Sequence, residues 1–284
     1  MRATALFLWK GKYLMPAHVV VGTQWGDEAK ARVVDYLAEE ADAVVRYNGG
    51  ANAGHTVAVG DEKFIFHLIP SGILRPETKC IITSGVVLEL QQLCKEIDEL
   101  AERNRSIGDN LIISEGAHVV MPYHKALDVA RNKGAGSIGT TARGIGPVYA
   151  DKHAYMGIRI NDLFERKSLI EKIKIALKEK NIIFESLYDV PAFSAEQIAD
   201  ELQPYVEKIR PYTANTSFLI NKMLDEGKTV LFEGAQGTML DINFGTYPFV
   251  TSSHPISSGV CVGAGIGPQR LQKIIGVVKA YITR

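Results

Sequence analysis

The chain has 284 residues, 46% hydrophobic and 23% charged, enough for one large or two modest domains around a self-sufficient core. Its formal net charge is zero, which leaves no electrostatic case for nucleic acid or an anionic membrane. Three cysteines, Cys80, Cys94 and Cys261, are odd in number and lack metal spacing, as expected of reduced thiols in a cytoplasmic protein.

Residues 1–14 carry an apolar run of only Ala3 to Trp9, with no cleavage site before Lys10 and Lys12. They are expected to form a disordered extension or to lie upstream of the true start, Met1 or Met15. No stretch approaches the roughly 20 apolar residues of a membrane span. His18 to Val21 is apolar and β-branched, which suits a buried strand, and Arg32 to Glu40 suits an amphipathic helix. Ala43 to Tyr47 is a second strand, ended by Asn48-Gly-Gly. Thr56–Val59 and Lys63–His67 read as a hairpin with Gly60-Asp61 at its tip. Leu90, Leu93, Ile97 and Leu100 recur at helical spacing, predicting a helix over 89–103, and Leu111 to Ser114 is a short strand. Residues 165–227 read as mostly helical, punctuated by Pro191, Pro204 and Pro211; 229–233 and 276–281 read as buried strands.

Strands interleaved with helices predict an α/β fold with a mainly parallel sheet flanked by helices. The polar segments Gly22–Lys30, Asn48–His55 and Glu233–Gly237 each follow a strand. In such sheets the ligand crevice lies outside the carboxyl ends of the strands, so the three loops converge on one site. The first loop offers backbone N–H groups and Lys30 to an anion. Asp27 would be repelled by a bare phosphate and makes sense beside Mg²⁺, or facing a proton to be removed. The loop is not a regular P-loop, because Gln24, Ala29 and Ala31 stand at its required positions. Spacing alone leaves phosphate binding and an ordinary strand-to-helix turn both open. Gly263–Gly267 fails as a dinucleotide fingerprint, with the wrong spacing and Pro268 in the way.

The string Gly22-Thr-Gln-Trp-Gly-Asp-Glu-Ala-Lys-Ala-Arg32 resembles the signature of adenylosuccinate synthetase. Asn48–Thr56, Gly139–Pro147, Phe232–Thr238 with Gly245–Pro248 and Val250–Ser253, and Lys279–Arg284 resemble further family motifs in the same order. The resemblance runs from about His18 to the end. It implies a P-loop-like nucleotide-binding fold over 15–284. It also implies a GTP- and Mg²⁺-dependent ligation of IMP and L-aspartate in a cytoplasmic homodimer.

By resemblance, Asp27 takes the N1 proton of IMP and binds Mg²⁺; read alone, it is more readily an Asp capping the following helix. His55 maps onto the general acid, where a cationic imidazole would stabilise charge on the transferring phosphoryl group. The backbone carbonyl of Gly54 maps onto a Mg²⁺ ligand. The residues implied for GTP are Gly26, Asp27, Glu28, Ala29, Lys30, Ala31, Arg32, Gly54, His55 and Thr56. Those implied for IMP are Asp27, Glu28, Ala29, Lys30, Asn52, Ala53, Gly54, His55, Thr141, Gln236 and Thr251. Each, taken singly, is equally read as a turn or a cap.

The match departs at Ala29, Ala31 and Ala142, where the family has Gly, and at Tyr155, where it has an Arg reaching the other subunit's IMP. Phe244 and His254 also differ from common family residues, and Arg32 replaces a Lys. Family members continue beyond the segment matching Arg284, with guanine and aspartate contacts there, so this chain alone is expected to turn over poorly. The second reading is a non-catalytic IMP- or nucleotide-binding relic. A P-loop kinase for another small molecule is third, disfavoured by Ala29 and Ala31.

Overall fold

The computed structural model describes residues 17–59, 62–105, 107–133 and 139–283. The expected extension 1–14 and the hairpin tip Gly60-Asp61 lie outside them. In chain order, β1 (Ala17–Gly22) leads to α1 (Lys30–Leu37), then β2 (Ala43–Arg46). The hairpin β3 (His55–Val59) and β4 (Glu62–Phe66) is followed by β5 (Lys79–Ile82), β6 (Val87–Leu88) and α2 (Leu90–Glu102). Next come β7 (Leu111–Ser114), β8 (His118–Val119), α3 (Pro122–Arg131), α4 (Ile145–His153), α5 (Arg166–Ile183) and α6 (Ala195–Ile209). The last elements are β9 (Thr213–Ala214), α7 (Thr216–Asp225), β10 (Val230–Glu233), α8 (Gly259–Ala264) and β11 (Lys273–Val277).

Seven strands form one sheet in the order β11-β1-β10-β2-β5-β7-β9, and every pairing in it is parallel. Period-two alternation sends Val20, Val44, Ile82 and Leu231 to one face, with residues of α1, α2, α5 and α6. Val19, Val45, Ile81 and Phe232 go to the other, with residues of α7 and α8. The sheet is therefore covered on both sides, and its strands read as continuous apolar runs.

Two expectations are corrected. Pro204 does not break the helical region: it lies inside α6, which continues past it. Ile198, Leu202, Val206 and Ile209 are all buried along that helix, and at about 1.5–3 kcal/mol each they outweigh the roughly 3 kcal/mol cost of an interior proline. The final strand is Lys273–Val277 rather than 276–281, and it is a sheet edge with Ile274 58% exposed. It pairs with β1 from His18↔Lys273 to Gly22↔Val277, so pairing stops where the chain leaves β1 for the glycine loop.

Candidate functional site

Parallel pairing places the ends of β1, β2 and β10 side by side, with Glu233 in register with Arg46. Beyond them opens a cleft of about 1760 Å³. Gly26, Asp27, Ala29, Lys30, Ala31, Arg32, Asn52, Ala53, Gly54, His55, Thr56, Thr141, Gln236 and Thr251 all line it. A volume above the usual 300–1,000 Å³ suits more than one small ligand.

Glu28 is the exception and does not line the cleft. Its side chain is fully buried beneath the loop. Oε1 accepts from Gln24 N at 3.1 Å and Gly26 N at 2.9 Å, while Oε2 accepts from Lys30 Nζ at 2.5 Å. Room for that carboxylate exists because Gly22 and Gly237 carry no side chain: a Cβ there would lie 2.3 Å and 2.6 Å from its oxygens. Glu28 shapes the loop. Lys30 sits between Glu28 and the cleft; burial lowers its pKa and Glu28 offsets part of the effect.

Asp27 has φ 59° and its side chain is 94% exposed. The helix-cap alternative is not what forms, because the residue at that position is Ala29 and no side chain caps α1. Lys279 Nζ approaches Asp27 Oδ2 at 3.7 Å. Gln24 ties the end of the chain to the loop, accepting from Lys279 N at 3.0 Å. Ala29 and Ala142 adopt φ 65° and 54°, a left-handed conformation that a Cβ resists. Ala31, by contrast, lies within α1. Tyr155 is also left-handed at φ 63° and is 96% exposed.

His55 opens β3 and is enclosed by Glu233, Arg46 and His67. Burial pushes its imidazole down to about 4, ahead of the opposing pull of Glu233. Burial therefore works against the imidazolium implied for this position. Its Nε2 lies 3.8 Å from Glu233 Oε1 and has no hydrogen-bond partner among the described residues. Glu233 is fixed by Ser71, whose N and Oγ donate to it at 2.9 and 2.7 Å. Glu96 does the same for the next segment, accepting from the backbone N–H groups of His67, Leu68 and Ile69.

Gln236 has φ 57° and donates Nε2 to Asn52 Oδ1 at 3.1 Å, linking the second and third loops. Among the described residues neither the buried hydroxyl of Thr251 nor Arg46 Nε has a hydrogen-bond partner, and both residues line the cleft. Unpaired buried polar atoms facing a cleft suit a polar ligand. Arg46 and Glu233 were not singled out from sequence. The available signal was a charge ending each of the apolar runs Val44-Val-Arg46 and Val230-Leu-Phe-Glu233.

A profile of the adenylosuccinate synthetase family matches residues 19–284. The chain is 53% identical over 272 residues to an adenylosuccinate synthetase of Carboxydothermus hydrogenoformans, covering 95% of this chain and 64% of that relative. It is 52% identical to one from Thermobifida fusca, with the same coverage. The structure of fully ligated adenylosuccinate synthetase from Plasmodium falciparum superposes with a TM-score of 0.85 at 36% identity, covering 94% of this chain and 62% of that one. The chain thus spans just under two-thirds of the length of these relatives. Its glycine loop, its His55 hairpin and its sheet place it in the adenylosuccinate synthetase family.

Proposed function

We propose that the chain takes part in the GTP-dependent ligation of IMP and L-aspartate to adenylosuccinate, releasing GDP and phosphate, in purine nucleotide synthesis. The observation that carries this reading is the meeting of the Gly26–Arg32 loop, His55 and Gln236 in one cleft at parallel strand ends. The 6-oxygen of IMP is a poor nucleophile until N1 loses its proton, and a poor leaving group until it is phosphorylated. Asp27, an accessible carboxylate, takes that proton. Lys30 and the N–H groups at the start of α1 hold the triphosphate. Asn52, Thr141, Gln236 and Thr251 offer hydroxyl and amide groups to IMP. His55 faces the transferring phosphoryl group; an anion beside it favours the protonated ring that burial alone disfavours.

The Asp27 carboxylate and the Gly54 carbonyl, oxygen donors on two loops of the cleft, would hold Mg²⁺. Among the described residues no three His, Cys, Asp or Glu side chains cluster as a metal cage. One or two protein oxygens suffice for an ion that keeps several waters and shares phosphate oxygens. Bound there, it neutralises phosphate charge.

Binding of IMP and of GTP·Mg²⁺ to the purified chain, measured by calorimetry, tests the reading. Product absorbance in the presence of aspartate tests turnover. Absence of binding by both nucleotides refutes it. We further propose that residues 15–284 act as one unit of a cytoplasmic homodimer. Among the described residues no helix is long and apolar enough to cross a membrane. A monomer in sedimentation at high concentration would contradict the dimer.

A further inference from the structure

We infer that Asp128 is a positioning residue whose buried carboxylate latches the loop 139–144 so that Thr141 faces the cleft. The inference rests on the reading above, in which Thr141 contacts IMP. Asp128 lies on α3 and is 5% exposed. Its Oδ1 accepts from Thr140 Oγ1 and its Oδ2 from Gly144 N, both at 2.8 Å. Asn132 Nδ2 donates to Asp128 O at 3.1 Å and also bonds Thr140 Oγ1. Thr140 Oγ1 accepts in turn from Ala142 N at 3.2 Å. One carboxylate thus gathers both ends of the loop.

The loop needs such a hold. Gly139, Ala142 and Gly144 all have positive φ, and Ala142 carries a Cβ that opposes it. At Gly144 a Cβ would lie 2.9 Å from the backbone of His124 and Lys125. Strained conformations of this kind persist only where their surroundings over-determine them. The latch is not required to join α3 to α4. His124 Nε2 already meets Asp151 Oδ2 at 2.8 Å, and Lys180 Nζ from α5 closes on the same carboxylate at 2.8 Å. What Asp128 adds is the placement of Thr140 and Thr141, which line the cleft beside Asp128 itself.

The test is calorimetric binding of IMP and, separately, of GTP·Mg²⁺ to the wild-type chain, Asp128→Asn and Thr140→Ala. The second variant removes the Thr140 hydroxyl with its bonds to Asp128, Asn132 and Ala142 N but keeps the buried carboxylate and its bond to Gly144 N, so it reports even where Asp128→Asn folds poorly. Loss of charge-assisted hydrogen bonds predicts IMP binding about tenfold weaker for Asp128→Asn and about threefold weaker for Thr140→Ala, with GTP·Mg²⁺ binding changed less than about twofold. Hydrogen exchange at the Ala142 and Gly144 amides should accelerate in parallel. Unchanged IMP binding in both variants, or equal losses for both nucleotides, overturns the latch and leaves the reading of the site intact. A wild-type chain that does not bind IMP overturns both.

Discussion

Ala29 and Ala31 both stand where glycine was expected, yet the structure predicts opposite outcomes for restoring it. Ala29 sits at φ 65°, ψ 35°, just before α1. A Cβ in that region costs about 1–2 kcal/mol. Replacing Ala by Gly also loosens the unfolded chain, which takes back about 0.4–1 kcal/mol. Ala29→Gly should therefore stabilise by about 0.5–1 kcal/mol net. Ala31 is inside α1 and 9% exposed. There glycine forfeits about 1 kcal/mol of helix propensity and a buried methyl worth about 0.8 kcal/mol, reduced somewhat by its place in the first turn. Ala31→Gly should destabilise by about 1 kcal/mol or slightly more. For a chain of this size each kcal/mol moves the melting temperature by about 1–3 °C, so urea unfolding is the sharper assay. A more stable Ala31→Gly, or an Ala29→Gly that loses 0.5 kcal/mol or more, would refute the reasoning. GTP·Mg²⁺ affinity separates crowding from strain: if the methyls obstruct phosphate, both variants bind more tightly whatever their stability.

Asp27→Asn should abolish IMP-dependent GDP formation while unfolding within about 0.5 kcal/mol of wild type, since its side chain is 94% exposed. Retained activity would remove Asp27 from the chemistry. Glu28→Ala strips acceptors from Gln24 N and Gly26 N and leaves Lys30 without its buried partner, so a loss of about 3–5 kcal/mol is expected in denaturant unfolding. A loss below about 1 kcal/mol would mean the loop is held by other contacts. His55 and His118 are both pushed down to about 4 by burial, against an unfolded value of about 6.5. Protonation favours the unfolded chain, so their contribution is complete above pH 6.5 and is lost as pH falls from 6.5 to 4. Each adds up to about 1.4 kcal/mol per pH unit in that window. His118→Asn should flatten the slope between pH 6.5 and 5; an unchanged slope would show that His118 titrates normally.

The α/β layering and the convergence of three loops were legible because strand and helix periodicities differ, and because parallel strands present their carboxyl ends together. The first strand and the short strand at Leu111–Ser114 sat where short apolar, β-branched runs placed them. The end of the last strand was not legible, since Val277-Val-Lys-Ala-Tyr281 is apolar enough to continue and only the length of β1 stops it. The distinction between Ala29 and Ala31 was equally invisible: it depends on a backbone angle, not on the side chain. His55 was found through its motif, but its burial was not legible, because the groups that enclose it come from β2, β10 and the segment after β4. The burial of the Glu28 side chain was not legible, because neither charge nor spacing tells a carboxylate above a loop from one beneath it.

The acidic residues around the cleft have a common physical reason. Catalytic loops must run without regular secondary structure, yet their first turns lie under the ligand, where backbone N–H groups cannot all reach water. Several segments in and near the cleft fold around a buried carboxylate that collects those groups. Glu28 takes the amides of Gln24 and Gly26, and Glu96 those of His67, Leu68 and Ile69. Glu233 takes Ser71, Asp128 takes Gly144, and Asp241 takes Asn243 and Phe244. A neutral acceptor would satisfy the same donors, but charge-assisted bonds are about twice as strong, and two oxygens can fix two directions at once. The arrangement also separates two kinds of acid by burial. Carboxylates already engaged by backbone hold the loops in shape. Asp27, exposed and with Lys279 Nζ 3.7 Å away, keeps its oxygens available for a proton or a cation.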